Sequence, residues 1–193
     1  MSFAKISFED SLEKSVVKAG RSVGCGACVV VCPFACLEYF EGNPKLVKEC
    51  KVCGICAGAC PRHEWSWSKA ENFLFGRERK AEEEFGVHRR LVVAKAQDEK
   101  ILKVCQDGGV VTALLLSALE NGLVDSVIVS GVSREKPFCP APKLATTTEE
   151  ILESAGTKYS YSPNVLALAE AVKEKKAGVA FVGTPCQIHA IRR

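Results

Sequence analysis

The sequence lacks a hydrophobic segment long enough to cross a membrane. Its longest apolar run, Val110 to Leu119, is interrupted by Thr112 and Ser117, and it has about half the length of a transmembrane helix. The first twenty residues alternate charged and apolar side chains, so they lack the continuous apolar core of a secretory signal. The sequence therefore predicts no membrane span and a cytoplasmic protein.

The sequence also has little excess charge of either sign. Its net charge is +3 over 193 residues, which is too weak to indicate nucleic acid or an anionic membrane as a partner. It contains neither the G-x-G-x-x-G fingerprint of dinucleotide-binding folds nor the Walker A sequence of nucleoside triphosphatases. Apolar residues make up 47% and charged residues 25%, as is usual for a globular protein.

Cysteine, by contrast, is abundant and regularly spaced. Eight of the eleven cysteines lie between Ser22 and Pro61. The second half of this stretch reads C-x2-C-x2-C-x3-C-P from Cys50 onward, and the first half repeats the pattern with Ser22 in place of its first cysteine. This is the spacing of bacterial ferredoxins with two clusters, in which the fourth cysteine of each run ligates the cluster of the other run.

The repeat therefore predicts two iron–sulfur sites with different ligands. The first is a 4Fe-4S site with the four cysteines Cys32, Cys50, Cys53 and Cys56. The second has the three cysteines Cys25, Cys28 and Cys60, with Ser22 at its fourth corner. A serine there predicts a 3Fe-4S cluster or an oxygen-ligated iron. Cys36 could replace Ser22, but it follows Cys32 by four residues and belongs near the first site, so we interpret it as a small core residue.

Two other uses of these cysteines compete with iron–sulfur ligation. Disulfides require an oxidising compartment, which the cytoplasm does not provide. A zinc ribbon would combine Cys25 and Cys28 with Cys50 and Cys53. It would leave three cysteines of the repeat, and the proline that follows each run, without a role. Iron–sulfur ligation accounts for all of them.

The pattern of apolar residues divides the chain into three parts. Residues 1–64 form the predicted ferredoxin-type domain, which includes a hairpin turning at Gly42-Asn43-Pro44. Its amphipathic opening, expected to pack beside the clusters, carries Phe3, Ile6, Phe8, Leu12, Val16 and Val17. Residues 65–90 are a predicted linker, in which Trp65 and Trp67 pack the module onto the next domain. Residues 91–193 alternate strands and helices, which predicts an α/β layered domain.

Within residues 91–193 the sequence predicts four strands and four helices. The strands are expected at residues 91–94, 127–129, 144–146 and 179–182, with a proline-containing loop over 137–142. Helices are expected to begin after Gly109, after Thr147 through a capping box, near Val165 and at Pro185. The last helix has barely begun at Arg193, which predicts a fragment or one part of a larger catalytic unit.

Two loops and one cysteine in this region are suited to a phosphorylated cofactor or a metal. The loop Gln106–Gly109 opens a helix whose backbone N–H groups favour an anion. The loop Gly156–Asn164 adds a lysine, several hydroxyls and two tyrosines before another helix. Cys186 follows Pro185 at a helix start, where free N–H groups and the helix dipole stabilise a thiolate. A metal ligand, a nucleophile and simple apolar packing are all compatible with this one cysteine.

Three ordered motifs in this region resemble the coenzyme F420 hydrogenase/dehydrogenase beta-subunit family. They are Gln106–Thr112 (QDGGVVT), Ala155–Asn164 (AGTKYSYSPN) and Pro185–Gln187 (PCQ), in a match that runs from about residue 87 to the end. The cysteine-rich region resembles family members with an N-terminal ferredoxin. The resemblance implies an α+β ferredoxin-like two-cluster module, followed by the N-terminal part of an F420- and FAD-binding α/β layered domain that is incomplete at its C-terminal end.

The resemblance implies an oxidoreductase that contains FAD. Hydride would pass between coenzyme F420, a small-molecule deazaflavin, and FAD, and electrons would leave through the clusters to a partner subunit or to a reductase or hydrogenase domain. It also implies which residues contact FAD: Gln106, Asp107, Gly108, Gly109, Thr112, Gly156, Thr157, Lys158, Tyr159, Ser160, Ser162 and Asn164. Cys186 would ligate a further 4Fe-4S cluster, for which the family supplies the other ligands from later sequence. No catalytic residue is implied.

Two other functions are compatible with the same residues. The chain could be a non-catalytic electron-transfer adaptor, with two clusters on an α/β docking domain that has no flavin site. It could also be a flavin reductase that depends on ferredoxin, since related flavoproteins take electrons from ferredoxin. Bound flavin would distinguish an enzyme from an adaptor. The residues leave the direction of electron flow and the terminal acceptor open.

Overall fold

The first described element is a helix that packs on the cysteine-rich region. A computed structural model describes residues 5–193, and it begins with a π-helix, Glu9–Val17. The apolar face of this helix, including Leu12 and Val16, is buried against Leu37 and Cys56. The structure thus contains the expected packing of the amphipathic opening. Phe3, also part of that prediction, lies outside the described residues.

The internal sequence repeat is visible as two short helices. Helix α1 is Ala27–Val30 and helix α2 is Ile55–Ala59. Each begins directly after a glycine in the left-handed conformation, Gly26 with φ 81° and Gly54 with φ 72°. Glycine adopts a positive φ readily, which explains why both copies of the repeat carry a glycine there, directly after Cys25 and directly after Cys53. The sequence repeat is therefore also a structural repeat.

A two-stranded hairpin lies between these helices. Strand β1, Leu37–Phe40, is antiparallel to strand β2, Asn43–Leu46. The turn is Glu41-Gly42, whose φ values of 45° and 83° suit a two-residue type I′ turn. The hairpin prediction is confirmed, but the predicted turn at Gly42-Asn43-Pro44 was wrong, because Asn43 and Pro44 already pair with β1.

The segment 65–90, expected to be a linker, contains a helix. Helix α3, Trp67–Phe75, begins at Ser66, whose hydroxyl accepts a hydrogen bond from the Lys69 amide at 3.3 Å. None of its residues is buried, and Phe73 is 83% exposed. The hydrophobic pattern did not predict α3 because its large apolar residues are exposed and, apart from Trp67, form no packed face.

The predicted strand at residues 91–94 was wrong, because the segment is irregular. Val92 is 69% exposed and Val93 is fully exposed, so among the described residues this segment has no neighbouring strand. Just beyond it, the Ala96 amide donates to the Gly108 carbonyl at 2.7 Å. A β-branched composition favours a strand only where a partner strand and a packed face are present.

A three-stranded mixed sheet lies at the centre of the second region. Its strands are β3 (Ser126–Val132), β4 (Pro140–Ala145) and β5 (Val179–Phe181), in the order β4-β3-β5. Strand β3 is antiparallel to β4 and parallel to β5. Pro140 and Pro142, predicted to lie in a loop, are part of β4. This is an edge strand, where a residue without an N–H group is tolerated on the unpaired side.

Five helices accompany the sheet among the described residues. They are α4 (Glu99–Val104), α5 (Val110–Glu120), α6 (Thr148–Glu153), α7 (Leu166–Lys173) and α8 (Pro185–Ile191). All except α4 were predicted. Thr147 caps α6 as expected, because its hydroxyl accepts a hydrogen bond from the Glu150 amide at 3.3 Å.

The central strand β3 has helices on both of its faces. Val127 and Val129 pack against residues of α5 and α6, whereas Ile128 packs against α7. This alternation follows from the two-residue period of a strand. The protein is thus a mixed α/β structure with small sheets. Across residues 5–193, no helix is long and apolar enough to cross a membrane.

Aromatic and polar contacts hold the cysteine-rich region against the sheet region. The Trp65 ring stacks on His189 of α8 with ring centroids 4.3 Å apart, and Trp67 packs edge-on against the same imidazole. The two tryptophans therefore make the packing contact that we expected of them. At the end of α8, the Arg193 guanidinium donates to the Cys60 carbonyl at 2.5 Å.

A further contact places Gly26 directly against Leu166 of α7. Gly26 has φ 81°, and an added Cβ would lie 2.6 Å from Leu166 Cδ2. We expect Gly26→Ala to lower the free energy of unfolding by about 3 kcal/mol, because it adds a steric clash to left-handed strain. Gly20→Ala is the control, since Gly20 is also left-handed but has nothing within 4 Å of an added Cβ; it should cost only about 1 kcal/mol. Anaerobic thermal denaturation measures both, and equal losses would contradict the clash.

Candidate functional site

The predicted cluster ligands line two separate cavities in the cysteine-rich region. The first, here called the serine–cysteine cavity, is lined by Ser22, Cys25, Cys28 and Cys60 together with apolar residues of the π-helix. The second, the four-cysteine cavity, is lined by Cys32, Cys50, Cys53 and Cys56 together with Cys36 and Phe34. Each ligand set derived from the crossed ferredoxin spacing thus meets at its own cavity.

This arrangement bears on the competing zinc interpretation. A zinc ribbon needs its four thiolates within about 2.3 Å of one ion. Cys25 and Cys28 line the serine–cysteine cavity, whereas Cys50 and Cys53 line the four-cysteine cavity. The two pairs that a ribbon would combine are therefore divided between two sites. In the described chain, no group of three or more His, Cys, Asp or Glu side chains is placed to hold a single ion.

Backbone amides donate hydrogen bonds to two sulfurs of the four-cysteine cavity. The Cys36 amide donates to Cys32 Sγ at 3.3 Å, and the Phe8 amide donates to Cys50 Sγ at 3.4 Å. Such hydrogen bonds stabilise negative charge on sulfur and tune iron–sulfur clusters. The Cys36 thiol is itself buried, and its sulfur lies 3.3 Å from the Glu49 carbonyl. Cys36 is thus on the four-cysteine side, as expected, and away from Ser22.

The thiols of the serine–cysteine cavity are strongly desolvated. Burial, with smaller contributions from Cys60 and Cys186, raises the pKa of Cys25 to about 11. A metal would have to displace these protons, so metal binding here would be coupled to proton release. Ser22 is half-buried, and its hydroxyl accepts a hydrogen bond from the Gly24 amide at 3.3 Å. Ser22 therefore lines this cavity at the position where the second copy of the repeat carries Cys50.

A much larger cavity opens beside the sheet and has a volume of about 840 Å³. This volume is in the upper part of the range that accommodates cofactors. The twelve residues that the family resemblance implied as flavin contacts all line this cavity. Neither loop was informative alone, because Gly-Gly and Ser-Pro loops are common. The fold brings both loops to the lining of one cavity.

The start of α5 offers this cavity an uncapped helix N-terminus. Gly109 precedes the helix with φ 69°, no side chain caps its first amides, and no acidic residue lies in its first turn. The first amides of a helix need hydrogen-bond acceptors, and the helix dipole favours an anion there. Asp107 and Gly108 complete this wall. Phosphate oxygens fit this position chemically.

The loop sequence suggested that the Lys158 ammonium group is free to bind an anion, but in the structure it is hydrogen-bonded to the backbone. Its ammonium group donates to the carbonyl oxygens of Ser154 at 3.1 Å, Ala155 at 2.8 Å and Gly156 at 3.2 Å. Burial lowers the pKa of Lys158. All three donors are thus used to close the end of α6. Lys158 lines the cavity but supports the loop, and an anion must be held mainly by backbone amides.

A buried polar network fixes the end of the second loop. Asn164 Oδ1 accepts hydrogen bonds from Ser162 at 2.6 Å and Ser130 at 3.0 Å, and Asn164 Nδ2 donates to the Val182 carbonyl at 2.8 Å. Gln187 Nε2 donates to the Ser162 carbonyl at 2.5 Å. The network connects the loop to β3, to the end of β5 and to α8.

Sequence reasoning missed two members of this network. Ser130 lies within a strand and carried no motif. Gln187 stands three residues after Thr184, and the two form a capping box at the start of α8. This spacing was readable in the sequence. It shows that the glutamine of the PCQ motif positions the helix that presents Cys186.

Three further contacts lie around the large cavity. Gln106 Nε2 donates to the Tyr159 hydroxyl at 2.6 Å and joins the two loops. Cys186 Sγ lies 3.1 Å from Thr184 Oγ1, and Thr184 lines the cavity. Cys105 also lines the cavity, with its sulfur 3.1 Å from the Asp107 carbonyl.

The chain is similar to several proteins named for coenzyme F420. It is 47% identical to the coenzyme F420 hydrogenase subunit beta of Methanococcus voltae, covering 56% of this chain and 39% of that protein. It is 36% identical to the coenzyme F420-dependent sulfite reductase of Methanocaldococcus jannaschii, covering 92% of this chain and 26% of the relative. It is 30% identical to a component of the F(420)H(2) dehydrogenase of Methanosarcina mazei, covering 92% of this chain and 49% of the relative.

These similarities divide along the chain as its structure does. The last two relatives cover 92% of the chain, which includes the cysteine-rich region. The chain spans about half the length, or less, of each of these relatives. Residues 91–169, which contain the two cavity loops, match the family model described as coenzyme F420 hydrogenase/dehydrogenase, beta subunit N-term. The chain belongs to the coenzyme F420 hydrogenase/dehydrogenase beta-subunit family.

Proposed function

We propose that this chain is an F420-linked electron-transfer flavoprotein, or its N-terminal part, which holds FAD in the large cavity and two iron–sulfur clusters in the cysteine-rich region. The observation that supports it best is the convergence of both family loops on one cavity of about 840 Å³. The relatives named as hydrogenase, dehydrogenase and sulfite reductase proteins supply the link to coenzyme F420.

The residues of the cavity suit the two chemically different parts of a flavin dinucleotide. The uncapped start of α5 suits the pyrophosphate. Apolar side chains elsewhere in the lining, Val110, Leu115, Val129 and Ile151, offer surface to flat rings. The Asn164 network holds the second loop, Gly156–Asn164, in place. The chain would thus bind mainly through backbone amides and apolar contact.

Bound FAD would supply hydride acceptance from a reduced deazaflavin and release of single electrons. The role of the chain is to hold and orient it and to place iron–sulfur ligands nearby. The serine–cysteine and four-cysteine cavities would hold the clusters that carry electrons to a partner subunit or to a reductase or hydrogenase domain. Cys186, on α8 beside the cavity, is proposed as a ligand of a further cluster that other residues would complete.

Anaerobic reconstitution with iron, sulfide and flavin tests this function. We expect the chain to retain FAD, with flavin absorbance near about 450 nm, and to bind FMN more weakly because FMN lacks the pyrophosphate. Adding reduced coenzyme F420 should bleach this band. Iron–sulfur absorbance without retained flavin would favour the adaptor. Bleaching by reduced ferredoxin but not by reduced F420 would favour the ferredoxin-dependent reductase.

A further inference from the structure

Tyr161 forms a wall shared by the large cavity and the serine–cysteine region. Its side chain lines the large cavity. On its other side, Tyr161 Cε1 lies 3.4 Å from the position of a Cβ on Gly24. Gly24 lines the serine–cysteine cavity and directly precedes Cys25. A single aromatic side chain therefore lies between the two sites.

Gly24 allows this close approach because it has no side chain. Its φ is 60°, and an added Cβ would lie 2.5 Å from the Gly42 carbonyl oxygen. The Tyr39 hydroxyl donates to the Gly24 carbonyl at 2.8 Å. Gly24 is thus fixed between the two tyrosines. The backbone that leads into Cys25 is held against the Tyr161 ring.

The four-cysteine cavity is lined only by residues of the cysteine-rich region. Its lining comes entirely from residues between Phe8 and Cys56. By contrast, Cys25 packs with Val165 and Ala190 of the sheet region. Cys28 and Cys56, one from each ligand set, belong to the same buried cluster. The three cavities therefore follow in the order large cavity, serine–cysteine cavity, four-cysteine cavity.

We propose that Tyr161 is a positioning residue that couples the large cavity to the serine–cysteine site. The cluster at the serine–cysteine site is then the first to exchange electrons with a flavin held in the large cavity. The inference rests on the proposed function. Each transfer takes one electron from a reduced flavin and adds one electron to the adjacent cluster. Tyr161 is neither oxidised nor reduced in this scheme. Burial raises the pKa of the Tyr161 phenol, which keeps its proton in place at neutral pH.

The test compares two aromatic side chains, one at each cluster cavity. Tyr161→Leu removes the ring beside the serine–cysteine site, and Phe34→Leu, the matched control, removes a ring that lines the four-cysteine cavity. Tyr161→Phe keeps the ring. Tyr161→Met is a second variant without the ring, and its side chain has a volume similar to that of leucine. Each full chain is loaded with iron, sulfide and FAD, and its iron content and retained flavin are measured first.

Electron paramagnetic resonance of the reduced chains gives a readout independent of turnover. Tyr161→Leu should change the signal of the serine–cysteine cluster alone, and Phe34→Leu that of the four-cysteine cluster alone. Freeze-quenched samples should show cluster reduction slowed by roughly tenfold or more in the Leu and Met variants at position 161. Tyr161→Phe should behave like the unchanged chain.

Several results would overturn the coupling role. These are an unchanged serine–cysteine signal in Tyr161→Leu, a four-cysteine cluster that is reduced first, or a rate that falls with Cys186→Ser but not with Tyr161→Leu. Tyr161→Phe as slow as Tyr161→Leu would also contradict it, because the hydroxyl and not the ring would then matter. If the unchanged chain retains no flavin, the proposed function fails, whereas the two spectra still test the position of Tyr161.

Discussion

Replacing Cys53 with alanine should remove about half of the cluster iron of the reconstituted chain, because one proposed ligand of the four-cysteine site is lost. Cys53 is only partly buried, so the substitution leaves little empty volume and the effect should be on the cluster more than on the fold. The serine–cysteine site should keep its iron, since its ligands line a separate cavity. Iron and sulfide analysis, with electron paramagnetic resonance of the reduced protein, measures this.

Cys36→Ala is the matched control for this experiment. Cys36 lines the same cavity and is more deeply buried than Cys53, yet it is not part of the proposed ligand set. It should keep all of its iron and lose only packing, at a cost of about 1 kcal/mol. Iron loss in Cys36→Ala equal to that in Cys53→Ala would mean that the ligand assignment is wrong. Loss of all iron from Cys53→Ala would mean that the two sites do not load independently.

Replacing Asn164 with leucine should destabilise the chain by about 3 kcal/mol or more, because each buried partner left without a hydrogen bond costs about 1–3 kcal/mol. Asn164 is 2% exposed, and its amide joins Ser130, Ser162 and the Val182 carbonyl. Leucine has a similar volume but no polar atoms. The loss should lower the melting temperature by about 6–12 °C in a chain of this size.

Asn121→Leu provides the same chemical change at an exposed position. Asn121 ends α5, and its amide donates to the Ser117 carbonyl at 2.7 Å; its loss should cost about 1 kcal/mol or less. Flavin retention should also fall in Asn164→Leu and not in Asn121→Leu, because only Asn164 shapes the cavity loop. Equal melting temperatures for the two variants would show that the network contributes little to stability.

The cysteine-rich region illustrates what spacing alone can predict. Ligand sets follow from the repeat, because the crossed connection places Cys32 with the second run and Cys60 with the first. The structure brings each set to its own cavity. Short-range patterns also predicted most helices, since start signals such as the cap at Thr147 and the proline at Pro185 are local. The helix start signals depend only on neighbours within a few residues.

Other features depended on contacts between distant residues and could not be read from the sequence. Residues 91–94 have strand-forming side chains but no partner strand among the described residues. The position of Lys158 in its loop suggested a cation that is free to bind an anion. In the structure its ammonium group donates to three backbone carbonyls at the end of α6. The shared wall at Tyr161 exists only because Gly24, far away in the chain, comes against its ring. Such contacts are set by tertiary packing.

The anchoring of the cysteine-rich region has a kinetic consequence. Leu166 meets Gly26, His189 stacks on Trp65, and Arg193 donates to the Cys60 carbonyl. A free ferredoxin must diffuse to its flavoprotein, so its reduction is bimolecular and depends on both concentrations. If the proposed function holds, the acceptor cluster is fixed beside its flavin donor, which would make the exchange unimolecular. The rate of cluster reduction should therefore be independent of protein concentration and insensitive to added salt.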